Sequence, residues 1–393
     1  MLKHLLLLGI LLLSSCGTER VKPITPTTDV KPQQPTFTNS AQPLIADFKL
    51  PQLPEKQEPQ QPQSVQIAVV GDIMMDKYIA NYIAEHGVDY PWSQVQHVLQ
   101  NATIAMANLE TSISTRGKST KVERFGFRSH PDTLQGVVNA GFDVVTTANN
   151  HILDYGLQAH IDTLHHLETY DLLHTGSGRD IAEAEAPAIV NQNGQKICIT
   201  GYSQIIPKQH WQATEQRQGL ASITPPHQKR AFANVAKLKS TNLCDLVLVN
   251  IHWGYEYKDY PSKAQKQLAH SLIDHGADAI IGHHPHVLQG IEVYKEKPIL
   301  YSLGNFVFLL GSKEASNSGI FLLNFTDGKF TDGKVVPTFI NRCRANLLQA
   351  KSTRGQKIFQ RIKRLSYNKG VQITKQGLFF PTPEKLSKAP KTQ

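Results

Sequence analysis

The chain has 393 residues, 40% of them hydrophobic and 19% charged, the balance of a globular domain and not of a disordered or polytopic membrane chain. Its formal charge is +9, but from Lys351 onward there are 11 Lys/Arg against one acid, Glu384, so everything before sums to −1. No P-loop and no basic motif interleaved with aromatics occurs, so neither ATP-driven chemistry nor nucleic-acid binding is expected.

Met1-Leu2-Lys3-His4 is a short basic start, and the apolar run Leu5 to Leu13 follows. That run is too short to cross a hydrocarbon core of about 30 Å as a helix, so residues 1–15 read as a secretory signal. Its end, Leu13-Ser14-Ser15-Cys16, resembles a bacterial lipobox. The resemblance implies cleavage before Cys16, lipidation of that residue, and an extracytoplasmic protein tethered to the inner or outer membrane. An ordinary signal peptide with a coincidental Cys is the plainer alternative. Residues 16–64 turn to Pro, Gln and Thr, too polar to bury a core and extended by repeated prolines, hence a spacer. Residues 382–393 share that character and are expected to be a disordered tail.

Residues 65–346 alternate apolar strand-like runs with amphipathic helical ones. Strands are expected at Val65–Val70, Thr103–Ala107, Phe142–Thr147, Lys196–Thr200, Asp245–Val249 and Asp278–Ile281. Helices are expected at Asp76–Glu85, Pro131–Ala140, Leu157–Tyr170, Gln228–Leu238 and Ser262–His275. This alternation implies parallel βαβ units. A later strand-rich block, from Ile299 to Ile340, carries Asp327-Gly328 and Asp332-Gly333 turns suited to hairpins. One architecture takes both blocks: two packed sheets flanked by helices, an α/β/β/α four-layer sandwich. Residues 347–381 form a basic helix–strand extension, a solvated surface or a contact for anionic polymer or lipid headgroups. Cys198 and Cys244 lie in apolar runs and are expected as buried thiols, and the absence of any CxxC spacing suggests no disulfide framework. His160, His165 and His166 stand at helical spacing and are expected on the surface.

Five polar motifs sit directly behind strand-like runs: Gly71-Asp72, Asn108-Leu109-Glu110, Asn149-Asn150-His151, His252-Trp253-Gly254 and Gly282-His283-His284-Pro285-His286. Carboxylate, amide and imidazole are N/O donors for divalent cations, and loops at the carboxyl ends of strands are where α/β proteins place such groups. Each motif has a bland counterpart: a helix cap for Asp72, turn chemistry for the Asn pair, a packed core imidazole for His252.

Together with Asp154-Tyr155-Gly156, His252-Trp253-Gly254-Tyr255-Glu256, Gly282 to Gln289 and Ser302-Leu303-Gly304-Asn305-Phe306, the motifs resemble the CapA family of poly-γ-glutamate capsule biosynthesis proteins, relatives of the calcineurin-like metallophosphoesterases. The resemblance implies a metallophosphoesterase-type fold and one or two divalent ions (Mn, Zn or Fe). Asp72 would bind the first ion and Glu110 would bridge; Asn150, His252 and His284 would hold the second, and His286 would reach the first. An extended run would project His284 and His286 to one side and His283 to the other. His151 is placed as the acid that protonates a leaving group. Asp76, Asn108, Asn149, Asp154, Glu256, His283 and Asn305 are expected to support these groups or face substrate. The phosphoesterase pattern has a His two residues after the first Asp, where this chain has Met74, so the first ion has fewer protein donors unless Asp76 or water substitutes. The implied role is biosynthesis, export or attachment of a polyglutamate-like anionic polymer, in company with capsule synthesis or export membrane proteins. The alternatives are a metal-dependent hydrolase of another extracytoplasmic substrate, or a non-catalytic polymer-binding scaffold.

Overall fold

The computed structural model describes residues 63–382 apart from 122–124, 193 and 310–311. The expected signal segment, Cys16, nearly all of the spacer and the tail beyond 382 lie outside the described residues. In chain order the first sheet takes β1 (Ser64–Ile73), β2 (Ile104–Leu109), β3 (Val144–Thr146) and β4 (Leu173–Thr175). The second takes β5 (Ala188–Gln192), β6 (Gln195–Ser203), β7 (Leu246–His252), β8 (Ala279–His283), β9 (Ile291–Tyr294) and β10 (Lys297–Leu300). The chain then rejoins the first sheet with β11 (Asn305–Val307), β12 (Asn317–Thr326), β13 (Lys329–Asn341) and β14 (Arg344–Leu347). It ends there with β15 (Val371–Ile373) and β16 (Leu378–Pro381).

The ten-stranded sheet runs β15-β16-β13-β12-β1-β2-β3-β4, with β11 also on β1 and β14 on β13. The six-stranded sheet runs β9-β10-β8-β7-β6-β5. The strands that carry the motifs are parallel: β1 with β2 and β11, β2 with β3, and β7 with β6 and β8. Their carboxyl ends therefore share one edge in each sheet.

Residue alternation along the strands decides the layering. On β1, Ile67 and Val69 enter the apolar cluster that also holds Leu246, Leu248 and Ile281 of the other sheet. Their neighbours Ala68 and Val70 instead pack with Ile79 of α1 (Tyr78–His86) and with Leu134 and Val137 of α3 (Thr133–Asn139; α2 is Gln96–Gln100). On β7, Val247 and Val249 pack outward on Val235 of α5 (Gln228–Ser240; α4 is Gly156–Thr169) and Leu272 of α6 (Lys263–Asp274). Helix, sheet, sheet, helix is the order, as the sequence pattern implies. Ser262 starts α6 with a reciprocal cap: its Oγ accepts from Gln265 N at 3.2 Å and its own N–H donates to Gln265 Oε1 at 2.9 Å. The basic extension is built into the first sheet through β15 and β16, and α7 (Thr353–Leu365) sends Ile358, Phe359 and Ile362 into the inter-sheet cluster.

Three expectations are corrected here. The helix expected from Asp76 starts at Tyr78, because Lys77 turns the chain with φ 56°. Cys198 and Cys244 are not thiols: they form a disulfide with Cα atoms 5.8 Å apart. Parallel pairing of β6 with β7 sets Cys198 opposite Val247, and so brings together residues 46 apart in sequence. His160, on the inward face of α4, is fully buried, whereas His165 is exposed and His166 half-buried.

Candidate metal centre

Glycines bring the site's backbone segments close. A Cβ on Gly71 would lie 2.0 Å from the Gly304 carbonyl oxygen, so only glycine lets β1 pass the turn before β11. The Asp72 N–H then donates to Gly304 O at 2.9 Å, and Asp72 stands in register with Asn305. Likewise a Cβ on Gly282 would meet Tyr301 O at 2.1 Å. Ile152 and Leu153 pack with Trp211 and Leu220 beneath the loop that carries Asn149, Asn150 and His151.

Six predicted donors converge. Glu110, His252 and His284 form one group whose donor atoms all lie within 4.8 Å of one another, and Asp72, Glu110 and His286 form a second. Glu110 is common to both, and all five residues are buried. Asn150 joins the first group, its Oδ1 lying 2.7 Å from His252 Nε2, which is 3.2 Å from His284 Nδ1.

Asn108 orients both carboxylates. Its Nδ2 donates to Asp72 Oδ1 at 2.9 Å and to Glu110 Oε2 at 3.3 Å, and lies 3.4 Å from His252 Nδ1. Its own carbonyl accepts from Asn149 Nδ2 at 3.1 Å, and Asn149 Oδ1 accepts the His151 N–H at 3.1 Å. Of the oxygens left over, Asp72 Oδ2 has His286 Nδ1 at 3.3 Å, whereas Glu110 Oε1 is buried with no hydrogen-bond partner. Around Glu110 Oε1 stand His252 Nε2 at 3.7 Å, His151 Nε2 at 3.8 Å and His286 Nε2 at 3.9 Å. These gaps are too wide for hydrogen bonds. Two donors bound to one cation at about 2.0–2.2 Å each can stand up to about 4 Å apart, so the spacing suits an ion between them.

The electrostatics agree. Burial pushes the Glu110 carboxyl up and the Asp72 charge pushes it further, to well above the usual carboxylate range. Burial also works against Asp72, but hydrogen bonds and charge from His283 and His286 outweigh it and hold that carboxyl well below. Burial and then the neighbouring His284 keep His252 far below an ordinary imidazole, and burial with His286 takes His284 to about 3. Neutral imidazoles offer lone pairs to a cation. Burial lowers His286 too, yet its bond to Asp72 and Asn305 raises it overall. Asn305 Oδ1 sits 2.8 Å from His286 Nδ1 and leaves Nε2 toward Glu110.

The supporting residues divide. His283 was expected to face away, but its Nδ1 lies 2.9 Å from Asp72 Oδ1. The 284–286 run is not extended: His284 has φ 92° and His286 φ 56°, and this left-handed turn brings imidazoles from both sides of Pro285 to the centre. Asp76 does not fill the gap at Met74, since its Oδ2 accepts from Arg128 N at 3.0 Å and faces Lys77 Nζ at 3.4 Å. Met74 is fully buried, and its sulfur takes the Asp76 N–H at 3.0 Å. Glu256 is exposed at the rim, where its charge acts on Glu110 and His286.

His151 stands over the centre. Its Nδ1 is 2.7 Å from Asp154 Oδ2, which also accepts the Phe127 N–H at 2.9 Å, and the Phe127 ring packs 4.4 Å from the imidazole. Phe127 and Phe308, which lies 4.9 Å from the His286 ring, are wall residues that the sequence reading missed. No spacing marks an aromatic that packs across loops.

A profile of the family described as bacterial capsule synthesis protein PGA_cap matches residues 66–309. Over 274 residues the chain is 34% identical to the capsule biosynthesis protein CapA of Bacillus anthracis, covering 69% of this chain and 66% of that protein. It is 30% identical over 253 residues to the PGA biosynthesis protein CapA of Bacillus subtilis, covering 64% and 65%. The match thus spans just under two thirds of each Bacillus protein. A probable polyglutamine synthesis accessory protein of Mycobacterium tuberculosis is 30% identical over 300 residues, covering 72% of this chain and 78% of its own length.

Proposed function

The chain belongs to the bacterial capsule synthesis family, and from that membership we propose that it is an envelope-anchored protein with a metallophosphoesterase-type metal centre. It acts in the synthesis, export or attachment of a poly-γ-glutamate-like anionic surface polymer, alongside membrane proteins that supply polymerisation and transport. The observation that carries the metal is Glu110 Oε1, buried without a hydrogen bond among three imidazole nitrogens. Asp72, Glu110 and His286 are the donors for one ion; Glu110, Asn150, His252 and His284 are those for the other. The N/O set suits Mn, Zn or Fe.

When bound, such ions would supply Lewis-acid charge to a reacting oxygen. The chain's own contribution is proton transfer. His151 holds a proton at Nδ1 for Asp154 and presents Nε2 to the centre; in the imidazolium form a second proton sits at Nε2, and passing it to the leaving group returns the neutral Nδ1–H ring. Asp154 fixes the tautomer, and Phe127 excludes water from one side of the ring.

Anchoring at Cys16 rests on the leader. The Cys198–Cys244 disulfide supports an extracytoplasmic location, because such bonds persist in oxidising compartments. Among the described residues no helix is long and apolar enough to cross a membrane. A second reading, a non-catalytic polymer-binding scaffold, is favoured by Met74, which leaves the Asp72 position short of one imidazole.

Metal analysis of the purified protein tests the centre. Two ions are expected, with His284→Ala and His286→Ala each losing one; unchanged metal content in both variants refutes the assignment. Turnover with Mn²⁺, Co²⁺ or Zn²⁺ on phosphate esters and γ-glutamyl polymers, abolished by His151→Ala, separates enzyme from scaffold.

A further inference from the structure

The loop that follows His252 leads out of the centre onto the basic helix. Tyr257 opens it: its N–H donates to Pro285 O at 2.8 Å, and its ring lies 6.1 Å from that of His286. Next, Gln289 Nε2 donates to Lys258 O at 2.9 Å. Asp259 then pairs with Arg361 at 2.6 Å and Arg364 at 3.5 Å, and the Tyr260 hydroxyl meets Arg364 at 3.5 Å. Arg361 also donates to Leu288 O at 3.0 Å, behind the His cluster. Three residues of loop therefore join the rim of the metal centre to α7.

This path is pinned by its backbone yet open at its rings. Tyr255, Tyr257 and Tyr260 are 68%, 46% and 56% exposed, an unusual density of uncovered aromatic surface on one short loop. The helix beside them is strongly cationic: residues 351–382 hold eight Lys/Arg and no acid. Lys357, Arg361 and Arg364 recur at i, i+4 and i+7, one stripe about 10 Å long. Among the described residues Lys357 and Lys363 make no ion pair, and both are exposed. The loop's acids cancel only one of these charges and leave Lys357, Lys363 and the balance of the arginine pair in excess. Asp259 is taken by the two arginines, and Glu256 acts on Glu110 and His286 instead.

We infer that the Tyr255–Tyr260 loop and the α7 stripe form one docking track for a polycarboxylate chain, delivering it lengthwise to the metal centre. This rests on the polymer reading above and adds where the chain lies. Guanidinium and ammonium groups take the carboxylates. Tyrosine rings cover methylenes while their hydroxyls donate, a pairing that favours a methylene-rich polycarboxylate over an equally charged polyphosphate.

The test uses the purified full chain, poly-γ-glutamate of defined length and inorganic polyphosphate as probes, and titrations at low and high salt. The Lys357→Gln/Lys363→Gln/Arg364→Gln variant is expected to bind polyglutamate at least tenfold more weakly at low salt, with a shallower salt dependence. Tyr255→Ala/Tyr260→Ala should lose severalfold at both salts, and metal content should match the wild type in both variants. Binding within twofold of wild type in both variants overturns the track and leaves the polymer reading standing. Tighter binding of polyphosphate than of polyglutamate overturns the assignment of the occupant. A wild type that binds no polyglutamate at either salt overturns the polymer reading and the track with it.

Discussion

Glu110→Gln should invert the stability ranking of variant and wild type according to whether metal is present. Without metal, Glu110 Oε1 is a buried carboxylate oxygen with no partner beside a second buried carboxylate, Asp72. A buried, unsatisfied group of this kind costs about 1–3 kcal/mol. Glutamine keeps the shape and removes the like charge, so in chelator the variant should be as stable as wild type or up to that amount more stable. With metal the sign reverses. A ligand at 100 times its Kd stabilises the folded state by about 2.7 kcal/mol. The variant loses the one carboxylate common to both donor groups, so it forfeits most of that gain at either position. For a domain of this size about 2.7 kcal/mol corresponds to roughly 5 °C in Tm. Thermal melts in EDTA and in excess Mn²⁺ or Zn²⁺, with metal counted on the same samples, decide the matter. Equal melting temperatures for variant and wild type under both conditions, with equal bound metal, would falsify a shared role for Glu110.

Asp154→Asn removes the carboxylate charge beside His151 Nδ1 and puts an NH2 donor on one of its two positions; if His151 is the acid, turnover should fall by about 100-fold or more with metal content unchanged, and a steady-state assay with metal analysis checks both. His160 titrates at about 4 instead of 6.5, first because it is buried; Gln218 opposes that shift, while His174 and Arg179 reinforce it. Between pH 6.5 and 4 the unfolded chain holds the extra proton, so stability falls as pH falls, by about 3 kcal/mol in total. His160→Gln should flatten that part of a urea-midpoint-versus-pH curve, and an unchanged slope contradicts the assignment. Cys198→Ser/Cys244→Ser opens a loop closed over 46 residues and should cost about 2–4 kcal/mol; a denaturant midpoint equal to that of the oxidised wild type speaks against it.

The centre was legible because its six donors each stand just behind an apolar run, and parallel pairing brings the ends of such runs together. That rule marks the five motifs; singling out Asp72, Glu110, Asn150, His252, His284 and His286 among their donors rests on the resemblance to the CapA family. What escaped it has a common physical origin in tertiary placement. The disulfide depends on β6 and β7 being neighbours, which no 46-residue spacing discloses. His160 looks like a surface residue by period, but α4 turns that face inward, so its neighbours in space and not in sequence decide its burial. Phe127 and Phe308 reach the site from loops whose course only the folded chain reveals.

The facing of His283, though not its supporting place, is the most instructive miss, because the rule that failed there is the one that works along strands. Alternation puts successive side chains on opposite faces only while φ stays in the extended region. Here β8 ends at His283, and the next residue already sits at φ 92°, with His286 at 56°. A left-handed residue turns the chain back on itself, so His283 and His286 both meet Asp72, at 2.9 and 3.3 Å, from opposite ends of one turn. L-residues other than glycine disfavour such φ by about 1–2 kcal/mol, and two in three positions is strain of the kind that accumulates where geometry serves a site. The same turn leaves Pro285 O free to accept the Tyr257 N–H, which ties the rim loop, and through Asp259 the cationic helix, to the backbone of the metal centre. A change that relaxes the 284–286 turn would therefore move the donors and the track together.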